Sequence, residues 1–534
     1  MKIKSKINIA AAFAFCLALF SGCEAFLDTV PDNRTELDTD EKIERLLVSA
    51  YPQASYASYA NAMADDATCR AGTSTRSNTS NEYIINEDAY YWREARTSTH
   101  NDSPTGFWNS CYKAIATANH ALEAIEASAN PDALRYQRSE ALLCRAFSHF
   151  LLVTLFSKPY IPGEPNSAPG IPYADKPETE VLATYERKTV QYVYQRIEED
   201  ITEALKNLPP ESEFKVSAYH FTAKAALTFA SRFYLYKGEF EKVVELTTQV
   251  VPLPVRTSTF DNVPANDPAN TWAATYFAAF KSWGTTASVI QAAWRLSESK
   301  HNFLLAETNS NLNRSWTCQY GTVQSTVPSN STTNVTGGYW PFTDYNPTSF
   351  RGCFYIYKFS EYFYSTSSSG GWIYVMFPFI RAEEVILNRI EAEIHLGRLD
   401  AAVNDFNVYY RQRSGASSQP ASEYSEGTMV LSIPKIKDFL GPSLLSFNFL
   451  TDHKAYNADT WDEDKRAMML LLLETRRSEY VHEGWRWFDV LRFKIPAHHK
   501  FMDGSEDHLM PDDPRRQWQI PETAIKFGLE PNER

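Results

Sequence analysis

Apolar side chains return every three or four positions along parts of this chain, and along other long parts they show no such return. The spacing predicts a helix from Glu41, where Ile43, Leu46, Leu47 and Ala50 share one face. It predicts a second over Phe107–Ala127, with Trp108, Cys111, Tyr112, Ile115, Ala118, Asn119 and Leu122 on one stripe. A third covers Ala133–Phe156, where Leu142, Leu143, Ala146, Phe147, Phe150, Leu151 and Leu155 leave little polar face. That helix stops at Lys158-Pro159, and Pro162, Pro165, Pro169 and Pro172 keep the following connection extended. Thr189–Leu208 is amphipathic and ends before Pro209-Pro210, and a partner helix follows over 219–237.

Two segments echo one another. Ala230–Val250 places Gly238, Phe240 and Val243 at the offsets that Asn388–Val408 gives to Gly397, Leu399 and Ala402. A helix, a glycine and a second helix with an apolar residue two positions on resemble a tetratricopeptide unit. Together with the earlier helix pairs they predict a mainly α fold, a tetratricopeptide-like scaffold of stacked helical hairpins over about 41–251 and 380–534.

Between the copies the helical period disappears. Pro252–Ile380 is rich in Ser, Thr, Asn and Gly and holds Trp272, Trp283, Trp294, Trp316, Trp340 and Trp372, half of the twelve tryptophans. It reads as an irregular, loop-rich lobe over about 252–379, with short strands at Phe354–Phe359 and Ile373–Phe377. Asp65–Asn81 reads as a surface loop, and Ser414–Asp464 as a second irregular insert.

The densest chemistry lies in Leu470–Arg492. Read as one helix, it carries Leu473, Tyr480, Trp487 and Leu491 on an apolar stripe, and Arg476–Glu479, Glu483–Arg486 and Arg486–Asp489 three apart. Gly484 in such a helix costs about 1 kcal/mol relative to Ala, so it marks a bend or a close backbone approach. The stretch is expected to brace the scaffold and not to catalyse.

The ends set the compartment. Lys2, Lys4 and Lys6 precede the apolar run Ile7–Phe20, and Ser21-Gly22-Cys23 resembles a bacterial lipobox. Residues 1–22 are therefore expected to be a lipoprotein signal peptide, Cys23 the acylated residue, 23–40 a polar tether and 41–534 one domain. Loss of the three leader lysines takes the net charge from -13 to -16, which argues against nucleic acid as a partner. Cys69, Cys111, Cys144, Cys318 and Cys353 show no CxxC spacing and read as isolated small hydrophobes.

Taken in order, several segments resemble the SusD/RagB-like nutrient-binding lipoproteins of the Bacteroidetes outer membrane. They are the lipobox with Phe26-Leu27-Asp28 and Pro31, then Trp108, Tyr112, Ile115 and Asn119, then Glu140-Ala141 with Arg145-Ala146. Arg381-Ala382-Glu383-Glu384, Ala392-Glu393 and Asn404 follow, and last Glu474, Arg476-Arg477, Glu479, Glu483-Gly484, Arg486, Asp489 and Arg492. Tyr480-Val481-His482 and the insert at 414–464 depart from the pattern. The resemblance implies a helical scaffold, a lipid anchor on the outer membrane facing the exterior, and a SusC-like TonB-dependent transporter as partner. It also implies capture of oligosaccharides, or in some members peptides, without catalysis.

The residues agree with a binding role. HExxH, GxSxG and P-loop motifs are missing from the sequence, and Glu383 and Glu384 are neighbours on a helix, so they cannot flank one glycosidic bond. A surface glycan hydrolase is the rival class. His498-His499 with Asp507 and His508 fits no standard metal spacing and reads as a solvated loop. No cofactor is expected; a structural calcium ion from Asp and Asn loops has no located site. Sugar rings pack their C–H faces on aromatics. Trp92, Trp283, Trp316, Tyr320 and Trp340 are the expected ligand contacts because they lie in polar, aperiodic segments, whereas Trp108, Trp485 and Trp487 are expected in the core.

Overall fold

Helix boundaries follow the local chemistry closely in the computed structural model. It describes most of residues 37–69 and 81–255, all of 263–277 and much of 289–534. Residues 1–36, 70–80, 256–262, 278–288, 297–319, 323–332, 346–354, 416–428 and 446–459, with a few shorter pieces, lie outside that description. The signal peptide, Cys23 and the tether to residue 36 fall among these.

The helices before the lobe are α1 (Asp40–Leu47), α2 (Ala57–Met63), α3 (Asn81–Tyr90), α4 (Pro104–Ala127), α5 (Arg135–Phe156), α6 (Val190–Ala204), α7 (Ala223–Lys237) and α8 (Phe240–Val250). Ser103 accepts from the Gly106 N–H and Pro104 opens α4, so the start falls three residues before the periodic pattern does. Thr189 and Thr222 cap α6 and α7 in the same way. Gly238 closes α7 at φ 81°, the left-handed cap that a side chain would resist. Neighbours in sequence pack as hairpins, α4 on α5, α5 on α6 and α7 on α8.

After the lobe come α10 (Ala382–His395), α11 (Leu399–Arg411), α12 (Ile433–Leu445), α13 (Glu463–Glu479) and α14 (Trp485–Arg492), and the lobe itself holds α9 (Pro268–Tyr276). The second echo is a true counterpart of the first: α10 and α11 flank Gly397 at φ 74°, and α10 packs on α8, α7, α11 and α13. The two halves of the scaffold are thereby joined across the lobe. Pro442 inside α12, after Gly441 at φ 65°, kinks the one helix described in the 414–464 insert.

The Leu470–Arg492 stretch is not one helix. Helix α13 ends at Glu479, Gly484 sits at φ 80°, and α14 starts at Trp485. A Cβ on Gly484 would lie 2.8 Å from the Ala57 Cα, so the glycine both turns the chain and lets α2 approach. Asp65–Asn81 is likewise more than a loop: it contains β1 (Ala67–Cys69) and opens α3, and Asp66 is 7 % exposed. Cys111 and Cys144 are buried thiols, as expected of small hydrophobes.

The lobe carries β2 (Val289–Leu296), β3 (Tyr320–Thr322), β4 (Asp344–Tyr345), β5 (Tyr355–Ile356), β6 (Ser360–Ser367) and β7 (Gly370–Arg381). Strands β2, β7 and β6 form an antiparallel sheet in that order, β1 pairs with β3, and β4 with β5. Strand β7 is twelve residues long, more than twice the run that alternation marks at 373–377, and passes directly into α10.

Candidate functional site

Two regions concentrate functional-looking side chains, and burial separates them. In the first, the arginines and carboxylates of the closing helices meet across the scaffold. Glu391 of α10 is bridged by Arg476 of α13 and Arg492 of α14, with Asp489 3.6 Å from Arg476. Glu479 accepts from Arg413 at 2.8 Å and from the Tyr409 hydroxyl at 2.6 Å. Arg413 also reaches Glu383, and Arg381 reaches Glu483 and, at 3.5 Å, Glu479. Arg232 holds Glu384 at 2.6 Å, and Arg486 takes both oxygens of Asp65 at 2.7 Å. The partners are therefore distant in sequence, and the spacing of three that links Glu483 to Arg486 along the chain is not what pairs them.

These charges are nearly dry: Glu391, Glu383 and Glu479 are 0 % exposed. Burial alone would raise the Glu391 carboxyl, but Arg476 and Arg492 outweigh it and hold it well below the usual carboxylate range. Arg486 likewise overcomes burial at Asp65 and lowers it. Asp66, with burial and the adjacent Asp65 charge against it, is pushed up to about 6. A buried network of ion pairs of this kind braces helices; it offers no open face to a substrate.

The second region is the outer end of the β6–β7 sheet. Antiparallel register sets Tyr362 opposite Tyr374, and directly opposed residues share a sheet face. Tyr362 and Tyr364 are 56 % and 52 % exposed, and Tyr374 is half-buried. Toward its base β7 sinks into the scaffold: Val375, Phe377 and Phe379 are buried, and Phe377 meets Tyr56 edge-on at 5.5 Å. Arg381, locked in the ionic network, ends the strand. The tyrosines of β6 thus stand beside Tyr374 on a sheet that β7 fixes at its base.

The expected ligand contacts fare differently. Trp92 is 2 % exposed, donates its indole N–H to the Met63 carbonyl and stacks on His499 at 4.1 Å, so it is a core residue. Trp340, 6 % exposed, stacks on Phe342 at 5.8 Å and is also packed inward. Both corrections have one cause: a polar stretch in sequence can still thread between packed elements. Tyr320 lies on β3 opposite Cys69; Trp283 and Trp316 lie outside the described residues. Trp108 and Trp487 are core as expected, whereas Trp485 is half-buried and packs against the core, stacked on Tyr480. The tyrosines of β6 were signalled by the alternation Tyr362-Phe363-Tyr364, which ranking by tryptophan passed over. A pocket of about 250 Å³ at the start of α5, lined by Pro131, Arg135, Arg138, Leu142, Glu203 and Asn207, has no aromatic face, and an Arg138–Glu203 pair at 2.9 Å crosses it.

Comparison with known proteins agrees with this architecture. A family model described as "Starch-binding associating with outer membrane" matches residues 25–235, and one described as "SusD family" matches 280–520. A SusD superfamily protein from Bacteroides vulgatus superposes with TM-score 0.59 at 19 % identity, covering 93 % of this chain and 99 % of that one. One from Bacteroides thetaiotaomicron gives 0.55 at 18 %, over 92 % and 99 %. A laminarin-binding SusD-like protein gives 0.53 at 16 %, over 93 % and 99 %. No curated protein matches the chain. With the two models covering both halves of the scaffold and the fold agreeing throughout, this chain belongs to the SusD/RagB-like family.

Proposed function

We propose that the protein is a non-catalytic surface lipoprotein that captures oligosaccharides and passes them to a SusC-like TonB-dependent transporter in the outer membrane. The observation that carries this reading is the exposed tyrosine ladder of β6 and β7. Flat aromatic faces held at one strand spacing suit successive sugar rings, whose C–H faces are apolar and whose hydroxyls remain in water. Tyr362, Tyr364 and Tyr374 are the contacts proposed from geometry, and Trp283, Trp316 and Tyr320 are kept as further contacts on sequence grounds.

Support for the remaining parts differs in kind. The lipid anchor rests on Cys23 behind Ser21-Gly22, and the outer-membrane setting on the description of the matching family model. The transporter partner and the outward orientation rest on family membership. Absence of catalysis is favoured because Glu383, Glu384, Glu391, Glu479 and Glu483 are all committed to arginines.

The test pairs binding with turnover. Electrophoresis of the purified chain through gels containing laminarin or starch should show retardation, with no reducing sugar released on prolonged incubation. Steady release of sugar would instead make it a hydrolase, and retention of peptides but no glycan would move it to peptide capture. Cys23→Ala should shift the protein out of the outer-membrane fraction.

A further inference from the structure

The polar segment after α14, expected to be a solvated loop, is a hairpin of β8 (Ala497–Lys500) and β9 (Glu506–Leu509). Its register sets His498 directly opposite His508, His499 opposite Asp507 and Lys500 opposite Glu506. Side chains alternate across such a ribbon, so His498, Lys500, Glu506 and His508 share the outer face. There the His498 and His508 rings stack at 4.2 Å, and the His498 Nε2 lies 2.9 Å from a Glu506 oxygen. One ligand atom from each of His498, Glu506 and His508 falls within a sphere where all lie within 4.8 Å of one another.

The backbone that carries these three groups is held from behind. His499, on the inner face, is 0 % exposed and lies between Tyr90 at 4.2 Å and Trp92 at 4.1 Å. Its ring nitrogens sit 2.7 Å from the Tyr90 carbonyl and 2.9 Å from the Ala64 carbonyl. Asp507 is clamped by Arg515 at 2.5 Å, and Ala497 and Leu509 are buried. The strands cannot slide, so the outer face presents the same three groups in a fixed spacing.

We propose that His498, Glu506 and His508 form a surface binding site for a borderline divalent metal ion, of the class Zn²⁺, Ni²⁺, Co²⁺ or Cu²⁺. Two imidazoles and one carboxylate are the donor set such ions prefer, whereas Ca²⁺ and Mg²⁺ call for oxygen donors alone. The side chains of His498 and Glu506 keep 38 % and 42 % of their surface, so rotamer changes suffice to bring the donors to the roughly 2 Å of a metal bond. Lys500, 3.4 Å from Glu506, is the cation that the metal displaces. The site stands apart from the tyrosine ladder and does not depend on the sugar-capture reading.

Calorimetric titration of ZnCl2, and separately NiCl2, into the full chain tests this. The expected result is one ion per chain, binding that weakens on acidification because imidazole must be neutral to ligate, and no competition by CaCl2. His508→Ala and Glu506→Gln should each weaken zinc by at least about tenfold, the loss expected when one of three donors is removed. His120→Ala, an exposed histidine on α4, should leave it unchanged. All three substitutions are on the surface, so an unchanged melting curve without metal verifies the fold. Absence of zinc binding, or binding that persists undiminished in the double variant His498→Ala/His508→Ala, overturns the proposal.

Discussion

The closing helices and the β6–β7 sheet are both dense in aromatic and polar side chains, yet they stand at opposite ends of the burial scale. Around α13 and α14 the charges face inward and find partners from segments up to 421 residues away, as Arg486 does with Asp65. On β6 the tyrosines face outward and are 52–56 % exposed. The two are connected, because Arg381 belongs to the ionic network and also terminates β7, which carries Tyr374 and pairs with β6. What the contrast teaches is that chemical richness marks either a brace or a contact surface, and that exposure decides which. The same rule moves Trp92 and Trp340 from one class to the other.

The comparison can be broken most forcefully from the buried side. Glu391→Ala would leave Arg476 and Arg492 without their shared carboxylate, a loss of about 3–5 kcal/mol for a buried charge stripped of its partner. Chemical denaturation should register it directly. Gly484→Ala should cost about 1–3 kcal/mol, since the new Cβ meets the Ala57 Cα at 2.8 Å and φ is 80°.

Acid titration separates two carboxylates within the scaffold. Glu391 is held below its unfolded value, so its contribution is present above about pH 4.3 and is lost as the pH falls toward the folded value. Glu391→Gln should accordingly flatten the acid limb of the stability profile. Asp66 has the opposite sign: raised to about 6, it favours the fold when protonated and loses that contribution as the pH rises through 6. Asp66→Asn should therefore gain on the wild type between about pH 4 and about pH 6. On the exposed side, Tyr364→Ala should change stability by no more than about 0.5 kcal/mol.

Much of the scaffold was legible because helical periodicity is a local signal. The stripes in α4 and α5 and the paired glycines Gly238 and Gly397 each lie within one or two turns. The bracing role of Leu470–Arg492 was legible too, but its partners were not: Glu391, Asp65 and Arg413 come from elsewhere in the chain, and no spacing rule reaches that far. A bend or close approach at Gly484 was legible from a glycine inside a helical pattern, but the neighbour that requires it, Ala57, was not. In the lobe, Tyr362 and Tyr364 could be read as alternating, but which phase faced solvent depended on the register with β7. Trp92 sits in a polar stretch whose neighbours Met63 and His499 only the fold supplies.

The central claim is that the ladder binds sugar while the network only holds it in place. It is tested most directly by comparing the wild type with Tyr362→Ala/Tyr364→Ala in gels containing laminarin or starch, alongside melting curves of both proteins. The account predicts that a glycan which retards the wild type fails to retard the double variant, while the two melt together. Equal retardation of both proteins would contradict it.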